Sequence, residues 1–454
     1  MIPTPKLTKS PRQQAIQERT KDSFFDGHRT ARSTIAKQLV SEVLTLLSGL
    51  DSNGSEDGTI TPRLRARRLV DQRLYEQQVE AVLCDLISIH RRLPGRGLCV
   101  TRNKRALSRR DRYQAPFVSE KLIDVVDALV AVGICTIRLG AHRRVSGGVG
   151  STTTTIRPGP ALLALLARLP VSLHDLGRHP GQEVIVLKAP KARRGESGER
   201  LDYEDTPERD ALREEVRRIN RWLADADIEY APLDTHPRHA AVDAQDRALR
   251  RVFINGVFDQ HGRLYGGFWE NLRSQDRKDC ILIDGEAVTA LDYGQMGVRL
   301  MYAHAGVAPH FEDAYAIPGL EQHREGTKKL INAMLNVSKP LAKTPSDIRE
   351  LLPVRIVVNG HDIGGGHIKS LTKLVTDFHH PVAHLFHQGM ALRGMRQESD
   401  IMVRVLLDLI NQGITALPIH DGLLVAESRA AAAEKAMLRA FEAVTGHAGV
   451  VKLD

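Results

Sequence analysis

The chain has 454 residues, 42% hydrophobic and 26% charged, ordinary values for a globular protein of two or three domains. No apolar run approaches the roughly 20 residues of a membrane span, and the opening MIPTPKLTKSPRQQ has no apolar signal-peptide core, so a cytoplasmic setting without a membrane partner is expected. The net charge of +9 is uneven: residues 1–150 hold 26 Lys and Arg against 15 Asp and Glu, while the rest is near balance. A basic module on a near-neutral body suggests a polyanion-binding attachment, nucleic acid first. The plainer reading is a solvated, Arg-rich face. Cys84, Cys99, Cys135 and Cys280 show no metal-knuckle spacing and read as reduced thiols.

In chain order, residues 1–30 are polar and basic and are expected to be mobile. Ala31–Leu50 carries a helical apolar stripe through Ile35, Leu39, Val43 and Leu47, and Asp51–Thr59 is a linker by composition. A long helix is expected from about Arg65 to Arg92, then a basic loop from Arg102 to Arg112, then a helix after Ser119 reaching Val132. Two β-rich runs, Ile134–Leu139 and Ser151–Arg157, flank AHRRVSGGVG, with Arg143 and Arg144 at its tip. Helix, strand, basic glycine-rich loop, strand is the order of a winged helix-turn-helix. Asp124 and Asp127 on the preceding helix argue against strong base readout, so phosphate contact through Arg143 and Arg144 is the expectation. A short helix over 160–170, a strand at Val184–Leu187 and an amphipathic helix at Pro207–Ala226 follow.

Two carboxylates stand out in the second half. Asp292 ends the strand-like run Ala287–Leu291 and leads into a helix, Gln295–Ala305. Asp421 lies in ITALPIHDGLLVAE, a hairpin pattern with a charged turn between apolar strands. An acidic tip between buried strands is costly unless it is solvated or metal-bound. Between them Arg324, Lys328, Asn332 and Asn336 recur every four residues, which keeps them on one helix face. Two cations followed by two amides suit a triphosphate leading to a sugar and base, although a solvated basic face is the commoner fate of such a stripe. The run Gly364-Gly365-Gly366, beside His361, Asp362 and His367, reads as a flexible loop, and His379-His380 before Pro381 reads as a helix-boundary turn.

These segments, in this order, resemble the palm and fingers of family A DNA polymerases and the related phage-type single-subunit RNA polymerases. LDYGQMGVRLMYAHAG (Leu291–Gly306) is similar to motif A, REGTKKLINAMLN (Arg324–Asn336) to motif B, and LPIHDGLLV (Leu417–Val425) to motif C. GRLYGGFWENL (Gly262–Leu272) and RQESDIMVRVLLDLINQG (396–413) are similar to the stretches preceding motifs A and C. The resemblance covers about residues 245–454. It implies two-metal nucleotidyl transfer, with Mg²⁺ (Mn²⁺ as a substitute) held by Asp292, Asp421 and the Tyr293 carbonyl. It further implies a triphosphate on Arg324 and Lys328, nucleotide contacts from Asn332, Asn336 and Gly297, and nucleic-acid contacts from Arg263, His420 and Gln397. The implied partners are a DNA template-primer and dNTPs or NTPs.

The sequence also departs from that family. The motif A glutamate that excludes the ribose 2′-hydroxyl is replaced by Gly297, as in the phage-type RNA polymerases. The motif B aromatics are replaced by Asn332 and Asn336, and motif C reads His-Asp-Gly, without the usual Glu or Ser. The expected fold is α+β, a palm with helical fingers after a helical, winged-helix region. The expected divisions are a basic N-terminus (1–60), a winged-helix-like domain (61–172), a connector or reduced thumb (173–244) and the palm and fingers (245–454). DNA polymerase is the first functional expectation. A primase-like or RNA-synthesising enzyme is the alternative that Gly297 favours, and a non-catalytic DNA-binding replication or defence factor with a degenerate palm is the third.

Overall fold

The structure is a computed structural model that describes residues 22–453 apart from 54–60, 62–64, 141, 146–147, 152, 194, 347, 359–360 and 366; side chains of 141–152, 237, 240 and 357–366 are also outside the description. The readings for residues 1–21 and for most of the linker therefore fall outside it. Helices and mainly antiparallel sheets form two compact units, residues 1–183 with 234–246, and residues 184–233 with 247–454. No helix among the described residues is long and apolar enough to cross a membrane.

The first unit is built on the helix Leu69–Arg92, buried on every side between Gln78 and Ile89. Helix Thr34–Asn53 packs Leu39, Val43 and Leu47 into the same aliphatic core, absorbing the first three residues expected in the linker. After Leu69–Arg92 come strand Leu98–Val100, the short helix Lys104–Ser108, helix Leu122–Ala131, strand Cys135–Arg138, the hairpin His142–Val145/Gly148–Ser151 and strand Thr154–Pro158. Thr154–Pro158 lies between Leu98–Val100 and Cys135–Arg138, and Ser23–Phe24 closes the sheet.

An ionic cluster is built on a separate two-stranded sheet of this unit, Arg29–Ala31 paired with Leu176–Arg178. Asp85 is 3% exposed and accepts from the backbone N–H groups of Asp26 and Gly27. Arg29 stands 3.4 Å from Asp85 and 2.9 Å from Asp243, and Arg178 joins Asp26 and Asp246. Burial, with the nearby Asp26 charge, pushes the Asp85 carboxyl up to about 6. Asp243 and Asp246 come from the 234–246 segment, so this cluster ties a late stretch of chain to the N-terminal core. All four cysteines are buried and free.

The second unit is organised by an antiparallel sheet in the order Ile228–Tyr230, Ile281–Ile283, Glu286–Tyr293, Gly422–Ala426, Ala416–Ile419, with Val451–Leu453 also against Leu291–Tyr293. Helices Ala391–Asn411 and Ala430–Thr445 pack beside it through Leu406, Leu409, Met437 and Phe441. Helix Pro207–Asp225 contributes Val216, Ile219 and Leu223 to the interior. A separate aliphatic and aromatic core from Val298 to Phe386 holds helices Met296–His304, Arg324–Asn336 and Ile368–Phe378. In this region one sequence expectation is corrected: Gly364 and Gly365 lie on the strand His361–Gly365, paired with Arg355–Val358, rather than in a loop. Strand pairing supplies the order that composition could not reveal.

Candidate nucleotidyl-transfer site

Asp292 is the penultimate residue of its strand, exposed, with buried Leu291 and Tyr293 on either side. The alternation follows from the pleat: successive side chains take opposite faces. Tyr293 is fixed inward, its hydroxyl donating to the Met437 carbonyl at 2.6 Å. Asp421 occupies a two-residue turn with His420, closed by the Ile419–Gly422 pair. His420 takes φ 57°, in the left-handed region. The Tyr293 N–H donates to the Asp421 carbonyl at 3.2 Å, which ties this turn to the Asp292 strand. Asp292 also faces Gly422 across the sheet. A Cβ on Gly422 would lie 2.1 Å from Asp292 Oδ1, so only glycine leaves room for that carboxylate.

Both aspartates line a cavity of about 380 Å³. Arg263, Tyr293, Gly297, Lys328, Asn332, Asn336 and Gln397 line it too, so nine of the residues singled out from sequence share one cavity. Lys328, Asn332 and Asn336 are exposed on one face of helix Arg324–Asn336, while Leu330, Ile331, Met334 and Leu335 bury the other. Gly297 is exposed at the start of the helix that follows Asp292; its missing side chain would meet Leu335 at an ordinary 3.6 Å.

Four sequence-selected residues stand off the cavity lining. Arg324 is held in a two-point ion pair by Asp313, at 2.5 and 3.1 Å, with its guanidinium 5.2 Å from the Tyr315 ring centroid. Gln295 fixes that loop by accepting from Ala314 N and donating to the Glu312 carbonyl. His420 sits edge-on to Tyr265 at 5.9 Å, and burial with the Arg263 charge lowers its pKa. Arg143 and Arg144 lie in the first unit, on the strand His142–Val145 paired with Gly148–Ser151; their side chains are outside the description.

The cavity also contains residues that the sequence did not flag. Tyr315 is 4% exposed, and burial pushes its phenol up to about 12, so it stays protonated. Glu398, 6% exposed on helix Ala391–Asn411, pairs with Arg263: Nη2 donates to Oε2 at 2.9 Å, and Nε stands 2.7 Å from Oε1. Burial, reinforced by the Asp421 and Asp292 charges and opposed by Arg263, pushes Glu398 up to about 7. Its only sequence signal was adjacency to Gln397. Among the described residues, no group of three or more His, Cys, Asp or Glu side chains could hold a metal ion. A cation here would rest on two carboxylates and take its remaining oxygens from phosphate and water, the ligand set Mg²⁺ prefers.

No protein-family model matches the chain, and no curated protein matches it. Among solved structures it is similar to the POL domain of Pol1 from M. smegmatis, in complex with DNA primer-template and dNTP. The match has 12% sequence identity and a TM-score of 0.30, over 94% of this chain and 66% of that one. This chain thus spans just under two thirds of that neighbour's length. At that TM-score the likeness bears on neither register nor site, and the functional reading rests on the cavity.

Proposed function

We propose that the chain is a template-directed nucleotidyltransferase, in the first instance a DNA polymerase of divergent family A type. The observation that carries the reading is the convergence of Asp292 and Asp421, from a strand end and a neighbouring turn, on a cavity whose other walls carry Lys328, Asn332 and Arg263. Paired divalent cations, when bound, would supply charge stabilisation at the attacking and leaving oxygens. Asp292 and Asp421 hold and orient those ions. Lys328 neutralises the triphosphate as a point charge. Arg324 serves the same end once it leaves Asp313. Asn332 and Asn336 offer amide donors and acceptors to the sugar and base. Arg263, Gln397 and His420 meet the primer-template beside the metal site.

For the first unit the reading is a winged helix. Its support is the element order from Leu69 to Pro158, with Thr154–Pro158 between the other two strands. Asp127 is engaged by Arg102 and Asp124 by Lys121, so the acidic face of Leu122–Ala131 is partly neutralised within the unit. Phosphate contact is assigned to Arg143 and Arg144 on the hairpin.

RNA synthesis is the second reading, favoured by Gly297, which leaves the cavity wall open where a side chain would crowd a 2′-hydroxyl. Primer extension with dNTPs or NTPs, with and without primer, separates the two. Extension that survives Asp421→Ala would overturn both.

A further inference from the structure

Arg263 and Glu398 come from elements far apart in sequence, yet the backbone beneath them is locked together. The carbonyl of Gly262 accepts from Arg251 Nε at 2.8 Å and from the Ser399 hydroxyl. Arg251, fully buried, also donates to Ser399 Oγ at 3.1 Å and to Asp400 at 2.5 Å. Residue 262 is thereby fixed to 399, and 263 stands opposite 398. Gly262 has φ 69° and its absent Cβ would lie 3.0 Å from Arg396 and 3.1 Å from Phe253, so the strand turns tightly where it delivers Arg263.

Glu398 engages the guanidinium through one hydrogen bond, from Nη2 to Oε2, while Nε stands 2.7 Å from Oε1 as an ion pair without a hydrogen bond. A guanidinium carries more N–H donors than one carboxylate takes up, and Arg263 lines the cavity together with Asp292 and Asp421. A buried ion pair is a poor source of stability compared with apolar residues of the same volume. Its place in the wall calls for another use.

We propose that Glu398 is a positioning residue that holds Arg263 in the cavity wall, so that the remaining N–H groups of its guanidinium meet the sugar and base edge of the 3′-terminal nucleotide of the growing strand. The inference rests on the polymerase reading above. Without Glu398, the carboxylate whose charge acts on Arg263 is Asp421. Arg263 would then lie on a metal-binding group instead of on the primer end.

The test uses the full chain in steady-state primer extension, with matched and mismatched 3′ ends, and compares Glu398→Gln, Glu398→Asp, Arg263→Ala and the Arg263→Ala/Glu398→Gln double variant. Loss of a charge-assisted contact predicts that Glu398→Gln lowers the preference for matched ends by about tenfold or more and raises KM for primer-template. In the Arg263→Ala background the same change should alter neither by more than about twofold. Glu398→Asp keeps the charge but shortens the reach, so it should fold normally and still lose part of the preference. Equal losses with and without Arg263, equal losses on matched and mismatched ends, or an unchanged preference in Glu398→Gln and Glu398→Asp would each overturn the proposal. Failure of the wild-type chain to extend any primer with dNTPs or NTPs would instead overturn the polymerase reading.

Discussion

Gly422→Ala perturbs the site by a single methyl group. The added Cβ would lie 2.1 Å from Asp292 Oδ1, 3.0 Å from its Cγ and 2.8 Å from the Leu291 carbonyl oxygen. The carbonyl belongs to the sheet backbone and cannot yield cheaply; the Asp292 carboxylate can. Rotating it about 30° off its rotamer costs about 0.5–1.5 kcal/mol, and residual overpacking brings the total to about 1–3 kcal/mol. The larger effect is on geometry, since a displacement near 1 Å at a reacting centre can cost about 100-fold in rate. Urea denaturation at constant pH should show a lower midpoint at unchanged slope, and primer extension should fall by about two orders of magnitude. Gly422→Ser adds the same Cβ and should do no better. A Gly422→Ala chain with the wild-type midpoint and normal extension would show that Gly422 does not set the direction of Asp292.

Asp292→Asn and Asp421→Asn should each abolish extension while leaving the melting temperature within a few degrees, because neither side chain is buried; normal extension by either would remove the metal site. Gly297→Glu should fold, since its Cβ meets only Leu335 at 3.6 Å, and should raise discrimination against NTPs, read as the ratio of kcat/KM for dNTP and NTP. Glu398, with a folded pKa of about 7, above its usual 4.5, disfavours its own ionisation. Its effect on stability is therefore least adverse below pH 4.5 and worsens as pH rises to 7. The wild-type minus Glu398→Gln stability difference, measured by urea melts across that window, should decline by about 3 kcal/mol, and a flat difference would contradict the raised pKa. Arg143→Ala/Arg144→Ala should lower the slope of log affinity for duplex DNA against log salt by about 2; an unchanged slope would detach the hairpin from nucleic-acid binding.

Much of this arrangement was legible in the sequence where the signal is local. The apolar runs around His420 and Asp421, and the strand before Asp292, declare themselves because charged residues there interrupt otherwise buried strands. The four-residue spacing from Lys328 to Asn336 likewise marks a shared helix face. Arg324 fits that spacing, yet Asp313, eleven residues earlier and on a loop, claims its guanidinium, and periodicity within a helix carries no record of such a partner. Glu398 was hidden for the opposite reason: a carboxylate normally signals solvent, and its burial depends on Arg263, more than a hundred residues away. The strand through Gly364 and Gly365 was missed because glycine composition speaks of loops, while pairing with Arg355–Val358 is decided across the hairpin.

The segment 234–246 belongs to the first unit although its flanks belong to the second, so the polypeptide passes between the units three times. Neither unit is a continuous stretch that can be cut out with one scission. Removing everything up to residue 183 would strip Asp243 and Asp246 of Arg29 and Arg178, leaving two carboxylates and a loop without their anchor inside the remaining polypeptide. A separable version of the second unit therefore requires 234–246 to be replaced by a short linker as well.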